Sequence, residues 1–197
     1  MTYEIGPDDA LVIVDVQHDF LPGGALAVAS GDRIFAPIDA LAPRFRRVYA
    51  TRDWHPANHS SYAAQGGPWP VHCIAGTHGA AFDPRLDLST VDVVIDKGTA
   101  AETDGYSGFA ATTLDGDLRA HGVQRIFVVG LATDYCVKMT ALDAVDEGFR
   151  VVVLEDAAAA VNVDPGDEAL ALEDLRAAGV AIAHSSEVLG SARSAAA

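Results

Sequence analysis

Six short apolar runs punctuate the chain, at residues 11–14, 48–51, 91–95, 126–129, 151–154 and 180–182. They are rich in β-branched residues, and several run without strict alternation between apolar and polar positions. That is the pattern of strands covered on both faces. Helical periodicity fills most of the gaps. It spans residues 32–45, where Pro37 and Pro43 make it irregular, and then 113–121, 135–147 and 167–178. The last three stop at Gly122, Gly148 and Gly179. A glycine there takes the left-handed backbone that closes a helix end. Strand and helix in alternation predict an α/β fold in three layers, a parallel sheet with helices on both faces. The stretch from residue 53 to 89 shows little periodicity. A loop of that length in a compact domain is usually functional or disordered, and its tryptophans and histidines favour function.

Composition narrows the class. The 197 residues fit one domain, taken as 1–190, with the low-complexity SARSAAA at 191–197 as a disordered tail. Hydrophobic residues at 50% suffice for a sizeable core. A formal net charge of -15 repels phosphate backbones and anionic lipid, which argues against nucleic-acid and membrane partners. The N-terminus lacks the basic region of a signal peptide, and no apolar run approaches a membrane span, so a cytoplasmic protein is expected. Cys73 and Cys136 are too few for a disulfide framework and read as thiols in a reducing compartment. A homo-oligomer is compatible with these features.

Open parallel sheets bind ligands beyond the carboxyl ends of their strands. Just past those ends lie Asp15, then Asp53, Trp54 and His55, then Lys97, then residues 130–136. Packing alone does not explain an acid, a base, a thiol and a metal-type cluster at one edge. Cys136 sits where a strand hands over to a helix, in GLATDYCVKMTALDA, with Thr133 or Asp134 placed to cap that helix. A thiol in a first helical turn lies near the positive end of the dipole, which lowers its pKa. Most free cysteines are simply small buried residues. The position after a central strand makes Cys136 the candidate nucleophile, and Cys73, without such a position, is taken as structural. Asp15, directly after ALVIV, is the candidate proton acceptor. Buried there, it needs a partner, and Lys97 can supply one. A structural ion pair is the plainer alternative. The segments TRDWHPANHSS and GGPWPVHC bring Asp53, His55, His59 and His72, a donor set that suits zinc, iron or manganese. His78, His121 and His184 lie in ordinary loop or helix-end contexts and read as surface residues.

The chain resembles the nicotinamidase/pyrazinamidase branch of the isochorismatase-like cysteine hydrolases. The matching segments are DVQHDF at 15–20, TRDWHPANHSSY at 51–62, GGPWPVHC at 66–73, GTHGAAF at 76–82, DKGT at 96–99, YSGF at 106–109 and GLATDYCVKMTALDA at 130–144. They run in family order. The resemblance implies a six-stranded parallel sheet ordered 3-2-1-4-5-6, with Asp15 beside Cys136 at the switch point. It implies a catalytic triad of Asp15, Lys97 and Cys136, and an oxyanion hole from the backbone N–H groups of Ala132 and Cys136. It also implies a cis peptide bond entering Ala132. The implied metal ligands are Asp53, His55 and His72, with His59 matching a fourth ligand used by some members only. Phe20, Trp69 and Tyr106 match aromatic positions around the substrate ring, and ordinary packing is their plainer reading. The expected activity is hydrolysis of nicotinamide, and of pyrazinamide, to the carboxylate and ammonia through a cysteine thioester. One divalent metal ion is expected, zinc ahead of iron or manganese. Many amidases of the superfamily lack the metal ligands, so a metal-independent small-amide hydrolase is the nearest alternative. A non-catalytic metal-binding or thiol redox-sensing protein is the alternative of another class.

Overall fold

A computed structural model describes residues 2–190, and the tail expected at 191–197 lies outside the described residues. Six strands form one sheet: β1 (Asp9–Val14), β2 (Val48–Asp53), β3 (Val93–Lys97), β4 (Arg125–Leu131), β5 (Arg150–Ala159) and β6 (Ala181–Ala183). Their order is β3-β2-β1-β4-β5-β6, and every pairing is parallel, as the resemblance implies. The helices are α1 (Phe35–Leu41), α2 (Leu114–Ala120), α3 (Lys138–Asp146), α4 (Asp167–Ala177) and α5 (Ser185–Leu189).

The apolar pattern explains the layering. All six residues of β1 are buried. Leu11 and Ile13 point into a core shared with Phe35, Ile38 and Leu41 of α1 and Val188 of α5. Ala10, Val12 and Val14 point the other way, against Leu118 of α2, Ala144 of α3 and Leu175 of α4. A strand covered on both faces has no polar side to show, hence its unbroken apolar run. Each fully buried large aliphatic side chain contributes about 1.5–3 kcal/mol. Gly122, Gly148 and Gly179 close their helices with φ of 71°, 89° and 90°.

The boundaries differ from the sequence expectation in instructive places. β2 runs on to Asp53 and β3 ends at Lys97, and these two residues are register partners. Both were expected past the strands, because the apolar pattern stops where the ladder does not. β5 runs well beyond 154, to Ala159. Its pairing with β4 shifts register between Val128 and Gly130, so Ala158 comes to lie opposite Gly130. The helix expected over 32–45 is α1 flanked by 3-10 turns at Gly31–Ile34 and Ala42–Arg44, the second with a proline in its first positions. The helix expected from 135 begins instead as a π-helical turn, Thr133–Val137, and becomes α-helical only at Lys138. Among the described residues, no helix is long and apolar enough to cross a membrane.

Candidate active site

The site starts where β1 ends. Asp15 follows Val14 with φ of 51° and is fully buried. β4 passes close beside it. A Cβ on Gly130, whose φ is 110°, would stand 2.1 Å from the Val14 carbonyl oxygen, so only glycine allows this approach. The Asp15 carboxylate accepts a hydrogen bond from Thr51 Oγ1 at 2.7 Å and pairs with Lys97 Nζ at 2.8 Å. Lys97 is buried along its length. Its ammonium also donates to the Gly105 carbonyl at 2.7 Å, touches the Asp53 carboxylate, and lies 3.5 Å from Cys136 Sγ. One oxygen of Asp15, one of Asp53 and the Cys136 sulfur lie within 4.8 Å of one another.

These groups perturb each other. Burial raises the Asp15 carboxyl to about 6, although Lys97 pulls the other way. Burial also opposes ionisation of Asp53, yet Lys97 and His55 win and hold that carboxyl below its usual range. The Lys97 ammonium is desolvated, but the two carboxylates keep it protonated well above its ordinary range. The Cys136 thiol is pushed up by burial, against the pull of Lys97. The acidic thiol expected from a helix start is therefore corrected. The sulfur lies inside the π-helical turn and is buried, and desolvation together with the Asp15 and Asp53 charges outweighs the pull of Lys97. The cap expected from Thr133 or Asp134 is also absent: the residue before the turn is Ala132, with no side-chain cap. Asp134 instead accepts from the backbone N–H groups of Val161 and Asn162, tying a wall of the pocket to the turn.

The second cluster shares Asp53. His55 Nε2 and His72 Nε2 stand 3.2 and 4.0 Å from Asp53 Oδ2. The opposite ring nitrogens are committed, His55 Nδ1 to the Gly98 carbonyl and His72 Nδ1 to the Pro70 carbonyl, both at 2.8 Å. With each Nδ1 placed to donate to its carbonyl, each Nε2 faces Asp53 as the ring atom that would bind an ion. Gly98 makes room for this: at φ of 58°, a Cβ there would stand 2.3 Å from His55 Cε1. Burial lowers the His72 pKa, which also favours the neutral ligand form. The residues fit a divalent ion on a further ground. Asp15 and Asp53 are two buried carboxylates facing one buried lysine, and a bound cation offsets the surplus negative charge. His59 stacks on His55 at 3.9 Å between ring centroids. Its Nδ1 bonds Ser61 Oγ, its Nε2 is buried without a hydrogen-bond partner, and burial lowers its pKa to about 4.

Above both clusters lies a small cavity walled by Phe20, Trp69, Tyr106 and Tyr135, with Asp53, His72, Ala132 and Cys136 also lining it. Trp69 Nε1 donates to Tyr106 Oη at 2.9 Å, and the Trp69 ring meets the Tyr135 ring edge-on at 5.0 Å. The peptide bond entering Ala132 is cis. Every site residue named from the sequence is thus in this region, His59 one ring behind the others. Cys73 is buried but outside this cavity's lining, and His78, His121 and His184 are exposed. Sequence reasoning missed Tyr135, Thr51, Gln17 and Tyr62. Tyr135 adjoins the thiol and was discoverable by position. Thr51 is the register partner of Val14, which only the pairing reveals.

The Isochorismatase domain family matches residues 9–187. The chain belongs to the isochorismatase family. Within that family, it is 40% identical to the nicotinamidase of Escherichia coli strain K12, over 89% of this chain and 94% of that protein. A structure from L. infantum in complex with nicotinate superposes with a TM-score of 0.91 at 41% identity, covering 95% of this chain and 98% of that one. The pyrazinamidase of Pyrococcus horikoshii in complex with zinc gives a TM-score of 0.85 at 44% identity, covering 90% and 99%. The isochorismatase-family fold expected from the sequence motifs is therefore the fold found.

Proposed function

We propose that the protein is a nicotinamidase that hydrolyses nicotinamide, and pyrazinamide, to the carboxylate and ammonia, with Cys136 as nucleophile. The observation that supports this best is Lys97, whose buried ammonium joins the Asp15–Cys136 pair to the Asp53–His55–His72 cluster beneath one aromatic cavity. Both clusters are needed for a reaction that attacks a carboxamide while gripping the ring that bears it. The relatives described above agree with that reading.

Asp15, ionised at neutral pH, accepts the proton of the Cys136 thiol as the sulfur attacks the carboxamide carbon. Lys97 holds Asp15 in place and keeps the developing charges balanced. The backbone N–H groups of Ala132 and Cys136 receive the oxyanion, an arrangement that contributes about 3–4 kcal/mol per donor elsewhere. Asp15 then returns its proton to the departing ammonia, leaving a thioester on Cys136. Water enters, and Asp15 takes its proton as the oxygen adds to the thioester carbon. That proton passes to the Cys136 sulfur as the C–S bond breaks and the acid leaves, to ionise in water. Phe20, Trp69 and Tyr106 enclose the ring. Asp53, His55 and His72 would hold a divalent ion, zinc ahead of iron or manganese, with His59 near enough to join them. When bound, that ion supplies a Lewis acid for the ring nitrogen or for water. The paired chemistry of two free thiols fits a cytoplasmic enzyme.

Ammonia release from nicotinamide by the zinc-loaded protein tests the reading. Steady turnover is expected. Turnover of other small amides but not nicotinamide would instead indicate a different amidase of the family, and no turnover of any amide would indicate a metal-binding or thiol-sensing role.

A further inference from the structure

Gln17 is fully buried two residues beyond Asp15, yet the mechanism above does not use it. Its carboxamide is saturated by backbone. Nε2 donates to the Asp53 carbonyl and to the Ala80 carbonyl, both at 2.8 Å, and Oε1 accepts from the Asp53 N–H at 2.8 Å. Only one orientation of the amide satisfies two acceptors and one donor, so the side chain is locked. Asp53 is held by both its N–H and its C=O, which leaves its backbone no freedom to turn. That matters because the two Asp53 oxygens have different duties: Oδ1 faces Lys97, and Oδ2 faces His55 and His72. A modest rotation of the residue would break one set of contacts to improve the other. The third bond, to Ala80, ties the same point to the segment whose residue 79 lies against Asp19, and Asp19 in turn accepts from the N–H of Cys73, next to His72.

We propose that Gln17 is the positioning residue that fixes Asp53 so that one carboxylate serves the metal cluster and Lys97 together. The inference rests on the reading of Asp53, His55 and His72 as metal ligands. Gln17→Glu keeps the shape but faces two carbonyl oxygens with a carboxylate, and cannot donate to either. Gln17→Asn keeps the amide but is one carbon too short to reach both residues. It is the milder change, and reads the same quantity if the Glu variant does not fold.

The test measures the zinc dissociation constant of purified protein by competition with a chromophoric chelator, together with the visible spectrum of the cobalt(II)-substituted form. Asp9→Asn is the control. It weakens the buried Asp9–Arg125 pair at the opposite end of β1 and lowers stability without touching the site. Both Gln17 variants should bind zinc about ten- to a hundredfold more weakly than wild type, with an altered cobalt spectrum. Asp9→Asn should melt earlier, with zinc affinity unchanged. A folded Gln17 variant with wild-type zinc affinity and cobalt spectrum would overturn the proposal while leaving the metal site intact. A wild-type protein that takes up no zinc would overturn both.

Discussion

Asp15, Lys97 and Cys136 stand at or just past strand ends, whereas His55, His72 and Trp69 hang from the long segment between β2 and β3. Asp15 and Lys97 inherit their placement from the ladder, where Val14 is paired with both Thr51 and Gly130, and Asp53 with Lys97, and Cys136 from the turn that follows β4. The second group has short 3-10 turns and two isolated β-bridges around it, His55 with Ile74 and Tyr62 with Trp69, and its rings are placed bond by bond. The Gly98 carbonyl holds the His55 ring, Pro70 holds the His72 ring, Tyr62 donates to the His72 carbonyl, and Gln17 braces Asp53 where β2 hands over to this segment. Strand-end groups are therefore costly to displace but need few helpers. Loop groups can be placed finely, and each helper is a separate point of failure. The comparison predicts that changes to the strand-end half destroy chemistry outright, and that changes to the loop half degrade binding and selectivity by degrees.

The two cysteines give the largest contrast. Both are buried, and burial pushes both thiols up, so neither is a free thiolate at rest. They differ in neighbours: Cys136 has Lys97 at 3.5 Å and Asp15 close by, whereas the Cys73 sulfur has the Gly79 carbonyl at 4.0 Å. Cys136→Ala should reduce kcat by about 10⁴-fold or more with the fold retained. Cys73→Ala should keep kcat within a few-fold and lower the melting temperature. Mass spectrometry of substrate-trapped wild type should find the acyl adduct on Cys136, and an adduct on Cys73 would reverse the comparison.

Asp15→Asn comes next, with an expected loss of about 10²–10⁴-fold in kcat, since the proposed general base is removed at constant size. The same residue sets a pH dependence. Its carboxyl is raised to about 6, and catalysis uses the ionised form. Activity is therefore complete above that pH and is lost as pH falls through it, so kcat/KM should decline on the acid side of about 6. A flat profile down to pH 4.5 or so would mean that another group is the base.

The loop half should respond in selectivity. In the proposed reaction nicotinamide would present its ring nitrogen to an ion held by Asp53, His55 and His72, and benzamide has the same outline without that nitrogen. A site built around one coordinating atom rejects the analogue lacking it far more strongly than an apolar pocket does. Loaded enzyme should favour nicotinamide over benzamide in kcat/KM by about a hundredfold or more. Chelation, or His55→Ala, should lower nicotinamide turnover and narrow that gap. Equal turnover of the two amides by loaded enzyme would argue for a metal-independent member of the family.

The same division governs what the sequence reveals. Strand cores were readable because burial on both faces forces continuous apolar runs, and the acids and bases at their ends stood out against that background. The strand order was legible only through the family motifs, since periodicity does not say which strands pair. Asp53 and Lys97 were placed past their strands because polar residues end the pattern without ending the ladder. The helpers of the loop half were illegible for a physical reason. Gln17 and Asp53 are 36 residues apart, and the Gln17 amide meets backbone atoms of Asp53, which leave no trace in that residue's type. Asp134 read as a cap because it precedes a helix, but the widened turn sends its carboxylate to Val161 and Asn162 instead.

The finest test of the comparison is a single hydroxyl in the loop half. Tyr62 is almost fully buried, and its Oη donates to the His72 carbonyl at 2.7 Å. Tyr62→Phe removes one oxygen and keeps the ring, which also packs near His55 and His72. The His72 carbonyl is then left short of a donor, at a stability cost of about 1–3 kcal/mol. The His72 ring keeps its own bond to the Pro70 carbonyl, so its Nε2 should drift rather than swing away. Zinc affinity should fall by a few-fold, with KM for nicotinamide rising more than kcat falls. Thermal melting of metal-free protein and chelator competition read the two effects separately. If Tyr62→Phe costs as much in kcat as Asp15→Asn, the loop half is part of the bond-breaking machinery, and the division between the halves fails. If it changes stability alone, the ring contacts suffice to place His72, and its ligand position is less dependent on individual bonds than the geometry implies.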